Sequence, residues 1–173
     1  SESLARVTGA ACYLSREGGD DWQYIWAQES DANCRLVGDG DVITVGEVKL
    51  KVIHTPGHTP EHISFMVEEQ GEPRAVFTGG ALMLSGAARV DLLGSRVVPY
   101  LARWLYQTIH GKLLKSPDSS QIYPTHGGGS FCSKAAVGDG EIPTSIGAEK
   151  EHNPFAAHTE EDAFVNFALT SLG

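Results

Sequence analysis

The chain has 173 residues, a formal net charge of −9 at pH 7 and a pI near 5.1, with 41% hydrophobic residues. This length and composition predict one globular domain over residues 1–173, with a sizeable core. The acidity and the lack of a basic run argue against a nucleic-acid partner. No apolar run approaches the ~20 residues that span a membrane, so we expect no membrane contact and a cytoplasmic location.

The first half of the chain predicts mostly short strands. Apolar and polar residues alternate over residues 48–53, and Gly46 precedes them, which indicates a β-hairpin. Trp22, Tyr24 and Trp26 predict an aromatic anchor of a surface loop or a dimer contact, in preference to a ligand platform. The predicted elements are a helix at 2–7 closed by Gly9, a buried strand at 10–14, a loop at 15–21, hairpin strands at 42–45 and 48–53, and a strand at 63–67.

The second half predicts one long amphipathic helix among shorter elements. Leu101, Leu105, Ile109 and Leu113 recur at intervals of four residues, which gives one apolar stripe along a helix over 98–114. The other predicted elements are a turn at 68–73, strands at 75–78 and 121–124, a loop at 78–91, an irregular segment at 138–147 and a final helix that begins at Thr159 and docks through Phe164, Phe167 and Leu169.

A histidine-rich segment, His54-Thr-Pro-Gly-His-Thr-Pro-Glu-His62, joins two predicted strands. Its prolines and glycine predict a rigid loop. Three imidazoles in nine residues at a strand end favour a metal site. The alternative is that these histidines only satisfy backbone groups of the loop.

A second histidine, His126, follows the predicted strand 121–124 and precedes three glycines, which permit a close approach to a ligand. We expect a functional role for His126 rather than loop bracing. Cys132 lies six residues further on and is expected to be a small buried residue, with a role near a sulfur-containing substrate as the alternative. His110 is expected to be a surface or capping residue, and His152 and His158 are expected at the surface. All three cysteines are expected to be reduced.

These motifs, taken in order, resemble the metallo-β-lactamase superfamily in its glyoxalase II and persulfide dioxygenase branch. The resemblance is carried by residues 54–62, by Val76-Phe-Thr-Gly-Gly-Ala-Leu82 with Ala88-Arg-Val-Asp-Leu-Leu93, and by Tyr123-Pro-Thr-His-Gly-Gly-Gly-Ser130. It implies an α/β fold, an αββα sandwich, and zinc or iron as the cofactor. Residues 145–173 resemble a tail that precedes rhodanese modules in relatives.

The resemblance also implies roles for individual residues. His58 and His126 stand at metal-ligand positions, and Arg89 and Asp91 form a pair that braces the metal site. His54 and His62 are expected to brace the loop. Gly80 stands where the family has a metal-binding aspartate, and the family's His-x-His-x-Asp-His motif is missing from this chain, so we expect an N-terminally incomplete domain.

The family acts on glutathione-linked thiol substrates, as a metal-dependent hydrolase or as a sulfur dioxygenase, and the rhodanese-type tail favours the second. With Gly80 in place of the aspartate, the expected activity is impaired or absent, and the chain binds no metal in the extreme case. The alternatives are a non-catalytic binding or oligomerisation module and a truncated gene product. A homo-oligomer would cover the apolar edge that an incomplete domain exposes.

Overall fold

The computed structural model describes residues 2–125 and 144–171, which form a layered α/β structure. The helices are α1 (Glu2–Thr8), α2 (Ile25–Glu29), α3 (Val98–Gly111), α4 (Ile146–His152), α5 (Pro154–Ala157) and α6 (Glu161–Thr170). The strands are β1 (Cys12–Ser15), β2 (Cys34–Val37), β3 (Val42–Val45), β4 (Val48–His54), β5 (Ile63–Glu69), β6 (Glu72–Gly79), β7 (Gln121–Pro124) and β8 (Thr144–Ser145). Two short 3-10 turns occupy Asp20–Trp22 and Leu113–Lys115.

The strands of the described residues form two sheets. The larger has the order β3-β4-β5-β6-β7-β8, and the smaller pairs β1 with β2 in parallel. Within the larger sheet, only β6 and β7 are parallel neighbours. The predicted hairpin around Gly46 is present, and a two-residue turn at Gln70 and Gly71, both with positive φ, joins β5 to β6.

The larger sheet buries its two faces in different ways. Met66, Val76 and Ile122 lie on one face, beneath α3, α4 and α6, and belong to the main hydrophobic core. Val52 on the other face belongs to a small core with Val37 of β2. The arrangement is the α/β sandwich expected from the sequence, with the smaller sheet on the second face.

Several predicted boundaries were wrong. The α-helix of α3 ends at Gly111 rather than 114, because Lys112 leaves helical geometry (φ −125°, ψ −66°) and its Nζ donates to the carbonyl of His54 at 2.6 Å. The segment predicted to be irregular includes β8 and the start of α4 among its described residues. The strand predicted to be buried at 10–14 is β1, and its first three residues are only half-buried. The final helix begins at Glu161 rather than Thr159.

Sequence patterning missed α2, β2, α4 and α5. His110, predicted to be a surface or capping residue, is half-buried on α3, where it stacks on Tyr106 and its Nε2 lies 3.2 Å from the carbonyl of Phe155. His152 is exposed as predicted, whereas His158 is half-buried with its ring 4.5 Å from that of Phe167. No helix among the described residues is long and apolar enough to cross a membrane.

Candidate metal centre

The histidine loop lies between β4 and β5 and rests on α3. Its ends are joined by a bond from the Thr55 N–H to the carbonyl of His62 at 2.8 Å. Thr108 of α3 donates to the carbonyl of Pro56 at 2.7 Å. Gly57 has φ +144°, and a Cβ there would lie 2.7 Å from the Cα of Leu105, so only glycine lets the loop approach the helix this closely.

His58 is held in a form that suits a metal ligand. Its Nδ1 lies 3.0 Å from the carbonyl oxygen of Arg89. Because a carbonyl can only accept, Nδ1 carries the proton and Nε2 keeps its lone pair, which is the arrangement found in metal-binding histidines. The Arg89 side chain in turn donates from Nε and Nη2 to the two carboxylate oxygens of Asp91, at 2.8 and 2.5 Å. This fork fixes the segment whose carbonyl orients His58.

His62 has a different role, because both of its ring nitrogens are bonded within the protein. The N–H of Gly80 donates to Nε2 at 3.1 Å, so the proton lies on Nδ1, which donates to Oγ1 of Thr55 at 2.8 Å. Thr55 Oγ1 also lies 2.8 Å from Oγ of the buried Ser64. Burial and the neighbouring His58 lower the pKa of His62 from 6.5 to about 4. His62 therefore stays neutral and braces two loops.

His54 also braces the loop. Its Nε2 lies 2.8 Å from the carbonyl of Pro60, across the loop. Its backbone N–H donates to Oδ1 of Asp39 at 2.6 Å, and its Nδ1 lies 3.9 Å from a carboxylate oxygen of Glu17. These contacts tie the end of β4 to neighbouring loops.

Gly80 faces His58 directly. A Cβ built on Gly80 would lie 3.1 Å from Cδ2 of His58 and 3.3 Å from Cβ of Ala88. A carboxylate at this position would therefore lie beside the His58 ring, whereas glycine offers no oxygen there. Among residues 2–125 and 144–171, no group of three or more His, Cys, Asp or Glu side chains is arranged to hold a metal ion. The described residues alone do not fit a catalytic zinc site, which has three protein ligands.

His126, the other predicted ligand, and Cys132 lie outside the described residues. The chain that leads to His126 is described as far as Thr125, whose N–H donates to the carbonyl of Gly79 at 3.0 Å. The described chain before His126 thus lies against the residue that precedes Gly80. The metal-ligand roles of His58 and His126 stay predictions.

Sequence reasoning gave no role to Glu61, which lines a pocket of about 210 Å³ beside the histidine loop with Tyr24 and His62. Its Oε2 is buried and accepts no hydrogen bond from the described residues. The pKa of Tyr24 is raised, mainly by burial of its hydroxyl and to a smaller extent by the Glu61 carboxylate. The available signal was a carboxylate between Pro60 and His62, inside the motif itself.

Comparison with known proteins finds relatives among the persulfide dioxygenases and the metallo-β-lactamases. No protein-family model matches the chain. It is 33% identical to human mitochondrial persulfide dioxygenase ETHE1 over 121 residues, which cover 69% of this chain and 44% of the relative. The chain thus spans less than half the length of this curated relative.

Two crystal structures extend the likeness to the fold. A metallo-β-lactamase from Staphylococcus aureus superposes with a TM-score of 0.82 at 31% identity, over 98% of this chain and 48% of that one. ETHE1 from Myxococcus xanthus gives a TM-score of 0.70 at 31% identity, over 96% and 60%. Two more distant proteins with the same fold, at 23% and 18% identity and TM-scores of 0.53 and 0.51, were solved in di-iron and di-zinc forms respectively. Zinc and iron therefore both occur in this fold.

Proposed function

Because the chain belongs to the metallo-β-lactamase superfamily, in the branch that contains the persulfide dioxygenases, we propose that it is a metal-dependent hydrolase or sulfur dioxygenase-type domain impaired at Gly80. The proposed substrates are small thiol derivatives of the glutathione class. Sulfur oxidation is the favoured reaction, because the human relative is a persulfide dioxygenase.

One observation carries this proposal: the described part of the site keeps a ligand-ready histidine beside a glycine. His58 presents Nε2, and its orientation is fixed by the carbonyl of Arg89. Gly80, whose added Cβ would lie 3.1 Å from Cδ2 of His58, supplies no carboxylate. Because Zn²⁺ and Fe²⁺ sites both combine imidazole nitrogens with Asp or Glu oxygens, the absence of a carboxylate at position 80 should weaken zinc or iron binding.

The groups that remain have defined tasks. His58 would hold a metal ion, which when bound supplies Lewis-acid or oxygen chemistry to a thiol-derived substrate. Arg89 and Asp91 keep His58 in its ligand tautomer. His62 is neutral, and both of its ring nitrogens are hydrogen-bonded; its Nε2 accepts from the N–H of Gly80 and holds that backbone in position.

The test is metal retention by the chain and by Gly80→Asp after loading with Fe²⁺ or Zn²⁺ and dialysis, measured by elemental analysis. We expect substoichiometric metal in the unmodified chain and a clear increase in Gly80→Asp. Gly80→Asn is the matched control, because it adds the same volume without the charge. Adding His58→Ala to Gly80→Asp should abolish the gain.

Activity is then measured as oxygen consumption with glutathione persulfide and as hydrolysis of a glutathione thioester. Stoichiometric, tightly held metal in the unmodified chain, together with turnover equal to that of Gly80→Asp, would refute the impairment. Equal metal content in the unmodified chain and in Gly80→Asp would show that position 80 is not a ligand position.

The alternative function is a non-catalytic binding or oligomerisation module that keeps the fold. Phe77 favours it: this residue lies on the second face of the larger sheet with 47% of its surface exposed, 5.5 Å from the ring of Tyr123. Sedimentation of the chain and of Phe77→Ser distinguishes the two cases. A concentration-dependent dimer that Phe77→Ser dissociates would support the alternative, and two equally monomeric proteins would count against it.

A further inference from the structure

Two cysteines open the two strands of the smaller sheet. Cys12 is the first residue of β1, Cys34 is the first residue of β2, and the two are direct partners in the parallel register. Neighbouring strands lie about 4.7–4.9 Å apart, which falls within the ~4.4–6.8 Å between the Cα atoms of a disulfide. Directly paired residues also project to the same side of a sheet. The backbone therefore brings the two thiols together without rearrangement.

Both thiols are free and half-buried, so a small reagent can approach them. The pKa of Cys34 is raised, mainly by burial and to a smaller extent by the neighbouring Cys12 thiol. This influence of one thiol on the other agrees with the closeness that the register gives. Neither residue belongs to the histidine loop or to the predicted metal ligands.

We propose that Cys12 and Cys34 form a reversible dithiol–disulfide modification site, whose reagent is a low-molecular-weight disulfide of the glutathione class. The thiolate of one cysteine attacks a sulfur of oxidised glutathione, and one glutathione leaves as its thiolate. The second cysteine, as its thiolate, attacks the protein sulfur of the mixed disulfide and releases the second glutathione. Two protein thiols become one disulfide, and one molecule of oxidised glutathione becomes two of reduced glutathione.

Oxidation would fix one wall of the pocket beside the histidine loop. Residues Tyr13, Leu14 and Ser15 of β1 directly follow Cys12 and line that pocket together with Glu61 and His62. The disulfide would tie β1 to β2 and close the chain between them, which carries the Trp22 turn and α2. The modification thus stiffens the smaller sheet, and its effect is independent of whether a metal is bound.

The experiment uses the full chain carrying Cys132→Ser, so that Cys12 and Cys34 are its only cysteines. The protein is treated with oxidised glutathione under native conditions, remaining thiols are alkylated, and the intact mass is measured. We expect a monomer that has lost two hydrogens and takes up no alkylating reagent. It should unfold at a higher urea concentration than the reduced protein. The variants Cys12→Ser and Cys34→Ser, in the same background, should stop at a single glutathione adduct.

A parallel reaction in unfolding concentrations of urea tests whether the fold brings the thiols together. The native protein should form the intramolecular bond at a concentration of oxidised glutathione at least about tenfold lower than the unfolded chain does, because the fold raises the effective concentration. Native protein that accumulates two glutathione adducts, or that forms disulfide-linked dimers, would overturn the proposal. So would equal oxidation of the native and unfolded protein.

Discussion

Replacing Glu149 with alanine should destabilise the fold by loosening the loop that carries Gly80. Glu149 lies in α4, with 3% of its surface exposed. Its Oε2 accepts from the N–H of Ser85 at 2.9 Å and from Nδ2 of Asn153 at 2.7 Å, while Oε1 accepts from the hydroxyl of Thr144 at 3.0 Å. One buried carboxylate thus joins β8 to the loop that begins at Gly80 and contains Ser85.

The magnitude follows from what each donor loses. Asn153 Nδ2 also donates to the carbonyls of Met83 and Gly86, at 3.2 and 2.9 Å, so it stays satisfied. The Thr144 hydroxyl is half-buried and can rotate towards water. The N–H of Ser85 cannot rotate towards another acceptor, and Ser85 already has a φ of +51°, so it is the donor that loses most. Leaving a buried donor without its acceptor costs about 1–3 kcal/mol, and we expect about 2 kcal/mol here.

Urea unfolding followed by far-UV circular dichroism measures this loss. Glu151→Ala is the control, because Glu151 is exposed on the same helix and should change stability by less than about 0.5 kcal/mol. Glu149→Gln should fall between the two, since one carboxylate oxygen becomes an NH₂ group that faces a donor. A loss below about 1 kcal/mol for Glu149→Ala would refute the reasoning, because a buried three-bond acceptor cannot be removed so cheaply.

Two further predictions concern the histidine loop. Gly57→Ala should destabilise by about 3 kcal/mol in urea unfolding, because its Cβ would overlap the backbone of Leu105; Gly111→Ala at the end of α3, where a Cβ has space, should be near neutral, and equal effects would contradict the close approach. Lowering the pH from 6.5 to 4 should remove about 3 kcal/mol of stability through His62. Over most of this range the His62 imidazole is neutral in the folded protein, where its pKa is about 4, and is protonated in the unfolded chain, where its pKa is about 6.5. His62→Gln should lack this component of the slope, and identical pH profiles would show that His62 does not titrate differently in the two states.

The parts of the fold that the sequence predicted are those with local signals. The hairpin of β3 and β4 follows from alternation over residues 48–53, and α3 follows from leucines and isoleucines at helical spacing. Helix α4 was missed because residues 138–147 were predicted to be irregular, although Ser145 caps the helix by accepting from the N–H of Ala148 at 3.2 Å. Strand β2 was missed because it has a single fully buried residue, Val37, and pairs with β1 across an intervening helix.

The candidate site shows the same division between local and distant information. Spacing alone identified the histidine loop, but it could not separate the roles of three identical side chains. His58 differs from His62 because its Nδ1 meets a carbonyl 31 residues further along the chain, whereas His62 meets Thr55 and the N–H of Gly80. Such partners depend on how the loops meet in space, which periodicity does not encode.

The backbone at position 80 is fixed by bonds that do not involve a side chain there. Its N–H donates to His62, and its carbonyl accepts from the N–H of Ala88 at 2.9 Å. The neighbouring Thr78 hydroxyl donates to the carbonyl of Leu82 at 2.6 Å, which closes the same turn. The backbone at position 80 therefore does not depend on a side chain there, whereas an added Cβ would lie 3.1 Å from Cδ2 of His58 and would require a small shift of that ring. In Gly80→Asn the added Cβ makes the same contacts, so a gain in metal binding that appears only in Gly80→Asp can be attributed to the carboxylate.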